Sequence, residues 1–101
     1  MTSNSGNLVT VVHDSSKSMF RAILQEEEVG HLEYRLLTQT TSKAVDFFHT
    51  YTNPIAQGKG VAAKMVQSGL QWAKENNYRV IPSCSYVASY IDKNPQWKSS
   101  L

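Results

Sequence analysis

Two hydrophobic rhythms divide this chain. Up to residue 52, apolar and β-branched residues come in short runs broken by turn-forming residues, the signature of strands. Residues 8–13 and 19–24 read as a hairpin, with Asp14, Ser15, Ser16, Lys17 and Ser18 as its connection. The run Glu26, Glu27, Glu28 marks a second, solvated turn. Residues 29–37 then form a third strand, 38–43 a polar connection, and 45–52 a fourth strand carrying three aromatics. Four strands in succession predict a mostly antiparallel sheet.

Past Pro54 the period lengthens. Val61, Ala62, Met65, Val66, Leu70 and Ala73 recur at three- and four-residue spacing, with Lys64, Gln67, Gln71 and Lys74 opposite, which specifies an amphipathic helix between Gly60 and Asn76. Asn76 and Asn77 end it, because asparagine tolerates the left-handed backbone common after helices. Residues 78–82 read as a short strand, and 85–93 as a short helix that stops before Pro95. A strand, helix and strand in this order predict that residues 45–52 and 78–82 run parallel. The fold class is therefore α/β (α+β), with a mixed, mostly antiparallel sheet and a short C-terminal helix.

At 101 residues the chain has room for one domain, placed at 8–101 after a Ser/Asn-rich start, 1–7, that reads as a flexible terminus. Hydrophobic residues at 41% and charged residues at 18% exclude the low-hydrophobicity, high-charge profile of a disordered chain. The net charge of +2 is spread along the chain without a dense basic run, so nucleic acid is not the expected partner. Cys84 is the single cysteine, which excludes an internal disulfide and leaves a Cys/His zinc site short of thiolates. His13 and His31 stand alone on their strands with no three-ligand spacing, so no metal is expected. No signal-peptide pattern opens the chain, and no apolar run approaches the ~18 residues of a membrane span. The expectation is a soluble, cytoplasmic protein without a membrane partner. Ser99, Ser100 and Leu101 resemble the Ser-Lys-Leu peroxisomal address, with serine replacing the basic residue. A monomer or a weak homodimer is expected, the latter through pairing of the edge strand 8–13.

The stretch Gln57-Gly58-Lys59-Gly60-Val61-Ala62 sits where a strand hands over to a helix. Glycines there allow a sharp turn and bring backbone N–H groups close to a ligand, while the helix N-terminus favours an anion. A tight turn with no ligand is the plainer reading of two glycines. The dinucleotide-binding pattern is excluded mainly because four strands precede the turn, and Ala63 stands where its third glycine falls. A P-loop is excluded because no Gly-Lys-Ser or Gly-Lys-Thr follows at the required interval.

Gln57-x-x-Gly60-x-Ala62 resembles the phosphate-cradle signature of the Gcn5-related N-acetyltransferase superfamily. His49-Thr50-Tyr51, Ile81-Pro82-Ser83-Cys84-Ser85-Tyr86 and Asn94-Pro95-Gln96-Trp97 extend the resemblance to a small branch that includes short plant acetyltransferase-like proteins. The resemblance covers about 8–101 and implies a minimal version of that fold, with acetyl-coenzyme A as cosubstrate and an unidentified acceptor, a small amine or a protein. It implies that backbone amides of Gly58, Lys59, Gly60, Val61, Ala62 and Ala63 hold the pyrophosphate, with Gln57 beside them and Lys59 or Lys64 adding charge. It further implies that the two parallel strands splay, that the backbone from His49 through Thr50, Tyr51 and Thr52 pairs with the pantetheine arm, and that Cys84, His49 and Tyr86 lie toward the thioester. Two departures stand out. Gln57 replaces an arginine common in the branch, and no segment before Val45 reads as one of the early helices of the larger enzymes.

Cys84, between a strand and a helix, is a candidate nucleophile or a thioester-lining group, against the plainer role of a buried small hydrophobe. His49 is a candidate base, against packing in an aromatic-rich strand. Tyr86 or Tyr90 is a candidate acid, against packing on a helix. Phe47, Phe48, Trp72 and Trp97 read as core or core edge. The functions that follow are acetyl transfer to an acceptor amine or, alternatively, non-catalytic coenzyme A binding or sensing; a third is an interaction domain that has lost the ligand.

Overall fold

The computed structural model describes residues 8–38 and 42–101, so the reading of 1–7 and part of the 38–43 connection lie outside the described residues. Strands β1 (Val9–Asp14) and β2 (Met19–Leu24) form the expected hairpin around a 3₁₀ turn at Ser15–Lys17. Strands β3 (Glu27–Leu37) and β4 (Ala44–Thr52) extend it antiparallel, helix α1 (Val61–Glu75) crosses over, and β5 (Arg79–Ile81) pairs parallel with β4. Helix α2 (Ser85–Lys93) and a 3₁₀ segment (Pro95–Ser100) finish the chain. The result is a five-stranded mixed sheet in the order β1-β2-β3-β4-β5. None of its helices is long and apolar enough to cross a membrane.

The acidic run differs from its expected role. The turn is made by Gln25 and Glu26, both with positive φ (51° and 68°), whereas Glu27 and Glu28 already belong to β3. Glu28 Oε1 accepts from Arg21 Nε at 2.8 Å and lies 2.7 Å from Arg21 Nη2, an ion pair across the β2–β3 ladder rather than a solvated turn. The terminal 3₁₀ segment was not legible from periodicity; Pro95 at its first position presets the backbone dihedral. Ser99, Ser100 and Leu101 line a shallow cavity with Lys74, Asn77 and Tyr78.

One face of the sheet carries the core. Phe20, Ala22, Leu32, Tyr34, Val45 and Phe47 meet Met65, Val66, Leu70 and Ala73 of α1 and Val87 and Ile91 of α2 in a single buried cluster. Helix and sheet approach most closely at Gly69, where a Cβ would stand 3.0 Å from Leu32 and Phe47 side-chain carbons. Trp72 and Trp97 pack at the edge of this cluster as expected. Phe48 does not: it lies outside the core, with the Arg35 guanidinium 4.5 Å above its ring. The reason is a β-bulge. Glu33 pairs with His49 and Tyr34 with Phe47, so Phe48 is the extra residue on β4. Among the described residues no helix packs on the opposite face of the sheet.

His13 is part of the packing. Its ring stacks on Phe20 at 4.2 Å, meets Trp72 edge-on at 4.9 Å, and its Nε2 lies 2.7 Å from the Tyr34 hydroxyl. Burial lowers its pKa from 6.5, opposed by the smaller effect of the Asp14 charge. A base with a depressed folded pKa binds fewer protons folded than unfolded, so its contribution to stability is complete above 6.5 and is lost as pH falls below it. We predict that the melting temperature falls between neutral pH and pH ~5, and that His13→Phe flattens that fall. An equal slope in wild type and variant, read by circular dichroism, would assign the pH dependence elsewhere.

Candidate functional site

Strands β4 and β5 stay paired only from Ala44 to Asp46 on one side and from Arg79 to Ile81 on the other. Pro82, which has no N–H to give, follows β5. A last link, Cys84 N–H to the Phe47 carbonyl at 2.9 Å, then closes the pairing. Beyond it β4 runs on through Thr52 with no strand on that edge among the described residues, which leaves a row of backbone donors and acceptors from Phe48 to Thr52 along a notch. The bulge lies at the mouth of this notch and also reverses which residues face the core side. Before it, Val45 and Phe47 point to the helices; after it, Thr50 and Thr52 do, while His49 and Tyr51 point to the open face.

At the far end of the notch the turn Gly58–Gly60 leads into α1. Gly58 and Gly60 have φ of 85° and 75°, left-handed conformations that side chains seldom adopt, and a Cβ on either would meet nothing within 4 Å. The space above them is open. Gly60 is the N-cap of α1 and supplies no side-chain cap, and the first intrahelical bond is Lys64 N–H to the Gly60 carbonyl at 3.1 Å. The amides of Val61, Ala62 and Ala63 therefore keep the free donors of a helix start. These residues share a cavity of about 270 Å³ with Thr52, Ala56, Gln57, Gly58, Gly60 and Tyr86. Converging amides, the positive end of a 15-residue helix and an open approach fit a phosphate. Lys64 does not join them, since its Nζ reaches the Val9 carbonyl at 3.5 Å on β1. Lys59 is exposed on the turn and does not line the cavity.

At the near end, Cys84 is the N-cap of α2 and its Sγ lies 3.2 Å from the Thr50 hydroxyl. Burial pushes the thiol pKa up. The Thr50 hydroxyl, the amides of Val87 and Tyr86 at the start of α2, and the Thr50 backbone push it down and prevail, so the net shift is below the ordinary value. Tyr86, the second residue of α2, lines the cavity above the glycine turn, and burial followed by the neighbouring Tyr90 raises its pKa, which keeps its phenol protonated at neutral pH. Tyr90 packs against the core.

His49 and Tyr51 leave the opposite side of β4. His49 is half exposed and stands directly across the ladder from Glu33, with its Nε2 at 4.0 Å from Glu33 Oε2. Tyr51 tilts against the His31 ring at 5.5 Å. So the turn residues and Tyr86 come together, as do Thr50 and Cys84; His49 and the Tyr51 side chain do not face them. His31, expected to stand alone, instead has Glu33 at 3.4 Å and His49 at 5.9 Å between ring centres. Spacing along the sequence could not reveal this group, because the β3–β4 register creates it. Thr50 as partner of the thiol was likewise hidden, since its reach depends on the bulge at Phe48.

Comparison with known proteins places the fold in a family. A family model described as GCN5-related N-acetyl-transferase matches residues 19–100. Protein NATD1 of Mus musculus is 25% identical over 99 residues, covering 89% of this chain and 80% of that protein. Protein NATD1 of Homo sapiens is 25% identical over 96 residues, covering 86% and 75%. Among solved structures, the ribosomal-protein-alanine N-acetyltransferase of Brucella melitensis biovar Abortus 2308 superposes with a TM-score of 0.60 at 19% identity, over 80% of this chain and 59% of that one. The aminoglycoside acetyltransferase meta-AAC0020 from an uncultured soil metagenomic sample, in complex with sisomicin, gives 0.59 at 18%, over 79% and 55%. The chain thus spans little more than half the length of these solved acetyltransferases.

The thiol's surroundings give a direct test. Alkylation of Cys84 by iodoacetamide, followed by intact mass across pH, should show an inflection below that of a free cysteine, and Thr50→Val should move it upward. Identical profiles would show that the hydroxyl does not support the thiolate.

Proposed function

The chain belongs to the GCN5-related N-acetyltransferase family, and from that premise we propose that it binds acetyl-coenzyme A and transfers the acetyl group to an acceptor amine. The observation that carries this reading is the turn: three uncapped helix amides behind two left-handed glycines, opening onto a cavity at the end of an unpaired strand edge. In this reading the amides of Gly58, Gly60, Val61, Ala62 and Ala63 hold the pyrophosphate, the Lys59 N–H being given to the Ala56 carbonyl at 3.3 Å, and the backbone of Thr50, Tyr51 and Thr52 binds the pantetheine amides as a missing strand would. The blocks around His49, Cys84 and Trp97, which resemble short plant acetyltransferase-like proteins, support the same assignment.

The chemistry allocates roles along the notch. The acceptor nitrogen attacks the thioester carbonyl and gives its proton to His49, reached around the free edge of β4, and the coenzyme A thiolate leaves and takes a proton from solvent, because Tyr86 lines the cavity at the other end of the notch. A second route runs through Cys84: its thiolate attacks the carbonyl and expels the coenzyme A thiolate, then the amine attacks the new thioester, the Cys84 thiolate is released, and the amine's proton passes to the coenzyme A thiolate. The lowered thiol pKa favours this second route. A reading without turnover, as a coenzyme A-binding or sensing module, is favoured by one observation: His49 and Cys84 sit beside oppositely directed residues of β4.

Replacing Gly60 tests the anchor. Gly60→Asp sets a carboxylate where the phosphate binds, and Gly60→Asn imposes the same positive-φ strain, roughly 1 kcal/mol, without the charge. Calorimetric titration with acetyl-coenzyme A should show at least about a tenfold loss in Gly60→Asp beyond that in Gly60→Asn. Equal binding by the two variants and wild type would remove the phosphate-cradle assignment.

A further inference from the structure

We propose that the open face of the sheet holds a site for a first-row divalent transition metal ion, Zn²⁺ being the reference ion, with His31, Glu33 and His49 as ligands. His31 and Glu33 alternate on β3, so both point away from the core, and His49 is the cross-strand partner of Glu33 on β4. One ligand atom from each of the three lies within 4.8 Å of the other two. Glu33 Oε2 is already 3.4 Å from His31 Nε2 and 4.0 Å from His49 Nε2. A tetrahedral ion with bonds of 2.0–2.1 Å needs ligand atoms about 3.3 Å apart, so one of the three edges is in place and movement of the half-exposed His49 ring closes the other two.

The surroundings restrain the His31 ring. His31 Nδ1 faces Glu28 Oε2 at 3.7 Å, and Glu28 is fixed by the Arg21 guanidinium. A carboxylate on the far nitrogen of a histidine orients the ring and leaves Nε2 to bind metal. The His31 ring is also held between Tyr51 at 5.5 Å and His49 at 5.9 Å. Two imidazoles and one carboxylate suit a borderline ion and not Mg²⁺ or Ca²⁺, which require more oxygens, and three protein ligands leave a fourth position open to solvent or another donor. This assignment goes beyond the acetyl-transfer reading and does not rest on it. It has one consequence for that reading: an ion on His49 Nε2 occupies the lone pair with which that nitrogen would accept a proton.

The test is calorimetric titration of the tag-free, EDTA-stripped protein with ZnCl₂ and with MgCl₂, paired with Co²⁺ absorption spectra. The expected result is one Zn²⁺ per chain and no heat of binding with Mg²⁺. Zn²⁺ affinity should fall at least about tenfold in Glu33→Gln and in His31→Asn, and roughly tenfold in Glu28→Gln. Cys84→Ser should bind as wild type does, and the Co²⁺ spectrum should lack a thiolate charge-transfer band. Circular dichroism of each variant without metal checks that the fold is kept, and His49→Gln supplies a second ligand variant should one of the others unfold. Absence of Zn²⁺ binding, equal binding by wild type and ligand variants, or loss of binding in Cys84→Ser would each overturn the proposal.

Discussion

A single backbone hydrogen bond, Cys84 N–H to the Phe47 carbonyl, fixes the geometry from which the rest of the site follows. It ends the parallel pairing of β4 and β5, because Pro82 cannot donate to the ladder and the chain must step outward before another N–H can reach β4. It also starts α2, since its donor is that helix's N-cap. Everything on the notch is measured from this point. Phe48 bulges immediately after it, β4 bends away, and the free strand edge begins where the thiol sits. Loss of this bond would shift the cysteine, the helix start and the strand edge together.

Two helix N-termini then face the same free stretch of strand from its two ends. α1 presents uncapped amides at the Thr52 end, where only glycines intervene, and α2 presents its amides to the thiol at the Thr50 end. Both ends favour negative charge for the same reason, the unpaired N–H groups and aligned peptide dipoles of a helix start. What differs is what occupies the position. At α1 the N-cap has no side chain, which leaves room for a ligand's phosphate; at α2 the N-cap side chain is itself the anion-forming group. A single electrostatic device thus favours negative charge in an open cavity at one end and on a thiol at the other.

Most of this architecture was legible in the sequence because its signals are local. The apolar spacing of Val61, Met65, Val66, Leu70 and Ala73 specified α1, and Ser85 and Pro95 bracketed α2, whose limits match those read from the sequence. The glycine turn was legible for the same reason. What stayed hidden was long-range. The run from Val45 to Thr52 reads as one unbroken strand, and in an unbroken strand His49 and Tyr51 would share a face with Val45 and Phe47. One extra residue in the ladder, Phe48, reverses that parity, and hydrophobicity cannot announce it because Phe48 is itself apolar. The Glu28–Arg21 pair was missed similarly: three consecutive glutamates look like a turn until the β2–β3 register gives one of them a partner.

That parity reversal gives β4 two separate chemistries in four consecutive residues. Thr50 and Thr52 address the thiol and the phosphate cavity, while His49 and Tyr51 join His31 and Glu33 on the exposed face. The two sets are bound to one backbone but do not share a side chain, so the sheet separates them by about its own thickness while keeping each rigid. Of the unpaired edges of the sheet, the free edge of β4 is the one that adjoins both sets. One unpaired stretch of backbone thus carries the thiol's partner on one face of the sheet and the histidine–carboxylate group on the other.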